Sequence, residues 1–228
     1  MCKRAFLAGI LFFVAANSAV NERGMAQAAG ADNPSASTDW PLNGGNDRGE
    51  HFSTLDQINA ETVAGLGLAW YTDMPVADGI SATPIVVDGV IYLSGPFSIV
   101  FAVDAATGRI LWDFDPDVAT AFSSTPGLSW TARSNRGVAV HDGRVFVAVA
   151  DCRLIALDAA TGKPDWIAKT CDPADGYSIT DAPRIGDDKV FIGNSGSESG
   201  KPNRGYVSAY NVRDGALRWR FYTVPSPN

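Results

Sequence analysis

The stretch Phe101 to Trp112, FAVDAATGRILW, returns as Ile155 to Trp166, IALDAATGKPDW, and again as Ser208 to Trp219, SAYNVRDGALRW. The shared pattern is Ala-x-Asp/Asn-x-x-x-Gly-x-x-x-Trp, and its tryptophans stand 54 and 53 residues apart. A fixed period in this range, built from short β-rich runs and turn residues, predicts a propeller or a similar array of repeated sheets. Within each copy the Asp or Asn and the Gly form a turn, and the Trp supplies a large apolar anchor for the neighbouring unit. Trp112, Trp166 and Trp219 are therefore read as structural.

A second pair of strands precedes each hairpin: Thr83 to Leu93 (TPIVVDGVIYL), Gly137 to Val147 (GVAVHDGRVFV) and Ala182 to Ile192 (APRIGDDKVFI), with Asp88, Asp142 and Asp187 at the turns. Each repeat thus holds four strands, as a propeller blade does. The fold class expected is all-β, a propeller of which three to four Trp-docked blades are present. Residues 81–228 form three successive blades, and residues 29–80 form an amino-terminal segment. From the first repeat to the third, the upstream strands are offset by 99 residues and the hairpin by 107, so eight extra residues sit between the second and third strands of the third repeat. They fall in Gly193 to Gly205, GNSGSESGKPNRG, which holds a single carboxylate, Glu198. A Gly- and Ser-rich run costs backbone entropy and offers little to pack, so it is a loop, and loops carry connections or sites.

In a propeller the innermost strands converge on the axis, so the residues at their starts form a ring around a central cavity. Those positions are Ser81, Asn135 with Arg136, and Thr180. A guanidinium suits bidentate recognition of a carboxylate or phosphate, and a Glu among backbone carbonyls suits a hard cation such as calcium. Each of these residues is equally at home as an ordinary strand-end hydrogen bonder.

The amino terminus bears on the compartment. Lys3 and Arg4 precede a twelve-residue apolar run, Ala5 to Ala16, and small residues then lead to Ala26-Gln27-Ala28, the pattern of a cleaved secretory signal over residues 1–28. Twelve helical residues span about 18 Å, too short for a hydrocarbon core of about 30 Å. Cys2 lies before the apolar run, which is not the context of a lipid-anchored cysteine. Export to the periplasm is the expectation. Removing residues 1–28 takes away three of the 18 Lys+Arg and one of the 25 Asp+Glu, leaving a net charge of -9. That balance argues against nucleic acid or an anionic membrane as partner.

Two further cysteines, Cys152 and Cys171, flank a hairpin folded about Thr161-Gly162, where they face each other across the strands. An oxidising compartment predicts a disulfide between them, with reduced buried thiols as the alternative. No Cys-x-x-Cys pair exists and His51 and His141 stand alone, so zinc is not indicated.

Taken together, the Trp-docked hairpins, SNRGVAV, TDAP, GNSGSESG followed by RGYVSAY, the closing WRFYTVP and the segment Trp40 to Trp70 resemble the amino-terminal part of the periplasmic quinoprotein alcohol dehydrogenases. The resemblance implies an eight-bladed propeller with pyrroloquinoline quinone (PQQ) across the axis beside a calcium or lanthanide ion. It implies that Glu198 ligates the ion, that Arg136 and Thr180 bind polar groups of the cofactor, and that Ser195, Gly196 and Ser197 contact it from the loop. An alcohol, polyol or sugar would be oxidised, with electrons passing to a periplasmic cytochrome c or a membrane quinone. Two departures stand out. The family commonly has Glu where Ser81 stands and a bridged cysteine pair where Trp130 and Thr131 stand, so Trp130 is a candidate to stack on the cofactor. The family's catalytic Asp and remaining metal ligands fall beyond residue 228, so no catalytic residue is expected within this chain. It reads as a fragment, inactive without the remaining blades. The competing reading is a cofactor-free periplasmic propeller scaffold of the outer-membrane assembly type, which uses similar repeats. Arg136, Thr180 and the loop with Glu198 favour the dehydrogenase.

Overall fold

In a computed structural model of the chain, residues 38–119, 131–196 and 200–226 are described. They contain three four-stranded antiparallel sheets, each with its strands in chain order. The first comprises β1 (Ile85–Val87), β2 (Val90–Ser94), β3 (Val100–Asp104) and β4 (Ile110–Phe114). The second comprises β5 (Ala139–His141), β6 (Arg144–Ala148), β7 (Arg153–Asp158) and β8 (Pro164–Lys169). The third comprises β9 (Arg184–Gly186), β10 (Lys189–Gly193), β11 (Tyr206–Asn211) and β12 (Leu217–Tyr222). These are successive blades of a β-propeller, and the reason lies in how their faces pack.

Side chains alternate across a strand, so a sheet stacked on both faces needs apolar residues at every position. The middle blade shows this. In β6 and β7, Val145, Val147, Ile155 and Leu157 pack with Ile85, Tyr92, Val100 and Ala102 of the first blade. Their neighbours Phe146, Ala148, Leu154 and Ala156 pack the other way, with Val190, Ile192, Tyr206 and Tyr210 of the third. Full burial of each Leu, Ile, Val or Phe side chain contributes about 1.5–3 kcal/mol. The outermost strand β8 instead alternates exposed and half-buried residues.

Two kinds of turn set the register. The inner hairpins close through two left-handed residues, Asp88-Gly89, Asp142-Gly143 and Asp187-Asp188, the conformation that matches the twist of paired strands. In the outer hairpins the Asp104 Oδ1 accepts from the Thr107 amide at 2.8 Å and hydroxyl at 2.8 Å, and Asp158 does the same with Thr161. The Thr hydroxyls hold both carboxyls below the usual carboxylate range. Because these values are lowered, the stabilisation is present above the unfolded-chain pKa and is lost as pH falls through the lowered values. Asn211, which has no titrating group, accepts instead from the amide two residues on, that of Arg213, at 2.8 Å, as Asp104 also does from Ala106 at 3.1 Å.

The blades are clipped together by indole rings. Trp112 donates Nε1–H to the Ala159 carbonyl at 2.9 Å, and Trp166 donates to the Val212 carbonyl at 3.0 Å. Each ring lies over the next blade's turn glycine: a Cβ on Gly162 would sit 2.6 Å from Trp112, and one on Gly215 would sit 2.6 Å from Trp166. Each Trp also contacts an aromatic ring of its own blade, Tyr92 for Trp112, Phe146 for Trp166 and Phe191 for Trp219. A fourth docking tryptophan precedes the first blade. Trp70 donates to the Ala105 carbonyl at 3.1 Å and covers Gly108. The repeat pattern misses it because only its Trp half is present upstream. The segment also reaches the inner strand, where Trp40 pairs with Val86 as an isolated bridge. At the other end Trp219 is 43% exposed, together with Leu217, Phe221 and Tyr222. All three outer-turn glycines of the described blades are already covered by Trp70, Trp112 and Trp166.

Gly162 and Gly143 separate docking from backbone conformation. Both have left-handed φ, 70° and 69°, but nothing lies within 4 Å of a Cβ on Gly143. Gly143→Ala is expected to cost only the left-handed penalty of about 1–2 kcal/mol. Gly162→Ala must also displace the Trp112 ring and is expected to cost at least about 2 kcal/mol more. Chemical denaturation of both variants checks this; equal losses would mean that the indole contact is dispensable.

Candidate functional site

The lead-ins to the inner strands are joined by backbone hydrogen bonds from blade to blade. Thr83 N–H donates to the Arg136 carbonyl at 3.3 Å, and Arg136 N–H donates to the Thr180 carbonyl at 2.9 Å. Thr83, Arg136 and Thr180 therefore form an arc across all three blades. Ser81 lies exposed two residues upstream of the arc, and Thr83 makes the cross-blade contact. A cavity of about 410 Å3 opens beside it, lined by Thr83, Arg136, Asp181, Arg184 and Asn43 among others, within the size range of small-molecule sites.

Arg136 reaches along the arc. Its Nη1 donates to the Thr180 hydroxyl and, at 3.2 Å, to the Asp181 carboxylate. Both contacts run through one nitrogen of a group with five N–H donors. The Arg136 side chain is 56% exposed and the Asp181 side chain 74%, so the pair is an open one, worth well under about 1 kcal/mol.

Asn135, which spacing placed in the ring with Arg136, is turned away from the cavity and is 1% exposed. Its Nδ2 donates to the Ser98 hydroxyl at 3.0 Å and the Ala148 carbonyl at 2.8 Å. Its Oδ1 accepts from the Ser94 hydroxyl at 2.7 Å and the Gly137 N–H at 3.1 Å. The amide thus uses both donors and both acceptor positions to tie the first blade to the second, directly beneath Arg136 in the chain. A polar residue beside Gly at an inner-strand start is the sequence signal, but it does not say which way the side chain turns.

The inserted loop leaves β10 after Gly193 and rejoins at β11 with Tyr206; the corresponding gaps in the first two blades are far shorter. Ser195 pairs with Ser178 through both backbone bonds, at 2.9 and 3.1 Å, and its hydroxyl donates to the Ser178 carbonyl at 3.0 Å. Gly196 is buried with φ 148°, and a Cβ there would meet the Gly176 carbonyl at 2.7 Å and Asn203 Nδ2 at 2.8 Å. Its missing side chain makes room for the loop's own packing. Asn194 accepts from Tyr206 N–H at 3.2 Å, while its buried Nδ2 has no hydrogen-bond partner within reach among the described residues. Ser197, Glu198 and Trp130 lie outside the described residues, as do residues 1–28. Among the described residues no three His, Cys, Asp or Glu side chains gather as a metal-ligand set.

Cys152 and Cys171 are joined as a disulfide across the hairpin of β7 and β8, with Cα atoms 5.0 Å apart. Thr170 beside it donates to the Cys152 carbonyl at 2.9 Å and accepts from the Tyr206 hydroxyl at 2.9 Å and Arg220 Nη2 at 2.7 Å. The bridge therefore braces the junction of the second and third blades.

Residues 40–228 match the family model described as "PQQ: Glucose/ethanol/alcohol dehydrogenase, beta-propeller domain". The chain belongs to this PQQ dehydrogenase propeller family. It is 49% identical over 202 residues to quinohemoprotein alcohol dehydrogenase ADH IIB of Pseudomonas putida, a match covering 89% of this chain and 29% of that protein. The crystal structure of quinohemoprotein alcohol dehydrogenase from Comamonas testosteroni superposes with a TM-score of 0.76 at 42% identity, covering 86% of this chain and 29% of that one. A europium-containing methanol dehydrogenase superposes with a TM-score of 0.70 at 34% identity, covering 81% of this chain and 32% of that one. The chain spans less than a third of the length of these relatives.

Arg136 and Thr180 fit the cofactor of a PQQ propeller family. The Arg136 guanidinium lines the open cavity beside the Thr180 hydroxyl, and among the described residues only its Nη1 is engaged, which leaves donors of the kind that suit a carboxylate-bearing ligand. Adjacent residues separate this role from scaffolding. Asn135→Ala strands two hydroxyls, an N–H and a carbonyl and is expected to cost about 3 kcal/mol. Arg136→Ala, on an exposed pair, is expected to change stability by no more than about 0.5 kcal/mol. Denaturant titration of both variants is the check; a large loss for Arg136→Ala would make it a structural residue.

Proposed function

We propose that this chain is the amino-terminal part of a periplasmic PQQ-dependent dehydrogenase that oxidises an alcohol, polyol or sugar. The observation that carries the reading is the arc of Thr83, Arg136 and Thr180, with the Arg136 guanidinium beside the Thr180 hydroxyl at the cavity edge. Membership of the PQQ family and the names of its quinohemoprotein relatives support it. In this reading Arg136 and Thr180 hold polar groups of the cofactor. The weak, exposed Asp181 partner gives way to a cofactor carboxylate at little cost, because a charge-assisted bidentate bond is the stronger one. Ser195, Gly196 and Ser197 contact the cofactor from the loop, Ser81 and Trp130 contribute from the neighbouring blades, and Glu198 ligates a calcium or lanthanide ion. The europium in the name of one structural relative supports a lanthanide as the alternative ion. When bound, PQQ beside such an ion supplies the acceptor for a hydride from the alcohol carbon.

The residues here bind and orient; the proton-accepting group comes from elsewhere in the assembled propeller. The exposed Trp219, alone among the four docking tryptophans in having no described turn glycine beneath it, supports further blades as partners. Export by residues 1–28 and electron transfer to a periplasmic cytochrome c or a membrane quinone complete the proposal. Repeats alone would serve a scaffold equally well. The inserted loop and Arg136 have no evident use in one.

Calorimetry with PQQ and calcium on the full-length gene product tests this. The wild type is expected to bind PQQ in a calcium-dependent manner, Glu198→Ala to lose the calcium dependence, and Arg136→Ala to bind at least about tenfold more weakly. No binding by a folded full-length protein would contradict the dehydrogenase reading and leave a scaffold.

A further inference from the structure

The inserted loop is anchored by a residue that lies outside it. The Tyr177 hydroxyl donates to the Arg204 carbonyl at 3.0 Å and accepts from the Arg204 N–H at 3.1 Å. One phenol thus satisfies both backbone groups of a single residue on the loop's returning limb, the full donor and acceptor capacity of such a hydroxyl. Tyr177 also touches the outgoing limb. Its Cα lies 3.2 Å from where a Cβ of Gly196 would be, and the next residue, Ser178, pairs with Ser195. The two limbs meet directly as well, where Asn203 Nδ2 donates to the Gly196 carbonyl at 3.2 Å.

Both ends of this clamp are rigidly held. The Tyr177 ring packs on Tyr206 at 5.6 Å, and Tyr206 is held in β11 by its pairing with Tyr222 of β12. Arg204 stacks over the Tyr222 ring at 4.1 Å and donates twice to the Val224 carbonyl, at 3.1 and 2.9 Å. Tyr177 further stands three residues before Thr180, so one short segment sets both the arc beside the cavity and the limbs of the loop. Nothing in the repeat requires a hydroxyl at this place, because the first two blades have no inserted loop to hold.

We propose that Tyr177 is a positioning residue for the cofactor site, holding Ser195 and Gly196 at their places through its two hydrogen bonds to Arg204. The inference rests on the reading that Ser195 and Gly196 contact PQQ.

The test compares Tyr177→Phe with Tyr206→Phe in the full-length protein. Each variant keeps its ring in the aromatic cluster and loses one hydroxyl, so the two are expected to lose similar stability. Amide hydrogen exchange, measured without PQQ or metal, is expected to quicken roughly five- to tenfold at 194–196 and 203–205 in Tyr177→Phe only. PQQ affinity in the presence of calcium is then expected to fall by a similar factor in Tyr177→Phe and to stay unchanged in Tyr206→Phe. Unaltered loop exchange in Tyr177→Phe overturns the proposal, as does quickened exchange with undiminished affinity, or equal effects of the two variants. If the wild type binds no PQQ, the cofactor reading falls and the positioning role falls with it, whereas the exchange data still report whether Tyr177 holds the loop.

Discussion

An indole lying on a glycine holds this structure together. At Gly108, Gly162 and Gly215 the turn presents a left-handed backbone with no Cβ, and a tryptophan ring from the preceding unit occupies the vacant space while its N–H reaches a turn carbonyl. The contact combines two effects that neither residue supplies alone. Glycine permits both the conformation and the approach, and tryptophan brings a large apolar face with one polar atom that needs a partner. Repetition of the contact fixes the spacing and angle between blades at the rim. Spacing at the axis follows from it.

That dependence explains how a site arises from a repeat. The inner strands are only three residues each, too short to hold side chains in a fixed relation by their own pairing. Held by the rim, their lead-ins come close enough to hydrogen-bond across blades, and Thr83, Arg136 and Thr180 fall into line. Asn135 converts this proximity into a fixed junction by filling all its hydrogen-bonding positions between the first two blades. The third blade adds what repetition cannot: an inserted loop, held at its base by Ser178, Tyr177 and Asn203.

The repeat was legible in the sequence because its chemistry is local. Asp, Gly and Trp at fixed offsets mark a turn and its anchor without knowledge of distant contacts, and the two-residue turns at Asp88, Asp142 and Asp187 follow the same rule. Trp70 escaped that pattern because the Asp/Asn-x-x-x-Gly turn that precedes the other docking tryptophans is absent before it. Arg136 and Thr180 were legible as strand starts near an axis. Asn135 was expected beside them at the cavity, yet it faces the core, since residues adjacent along an extended chain point to opposite sides. Tyr177 left no signal at all. Its partner is the backbone of Arg204, and a backbone partner leaves no mark in the residue types. Gly196, which the resemblance gives as a cofactor contact, has the Gly176 carbonyl and Asn203 where a Cβ would stand, a closeness that only the fold reveals.

Blade docking at the rim brings Thr83, Arg136 and Thr180 into one arc, and under the proposed function that arc holds the cofactor. A crystal structure of the full-length protein with PQQ and calcium tests it most directly. Cofactor density is expected against the Arg136 guanidinium and the Thr180 hydroxyl, with the Asp181 contact released and the cross-blade bonds of Thr83 and Arg136 unchanged. A cofactor bound elsewhere, with Arg136 still paired to Asp181, would contradict it.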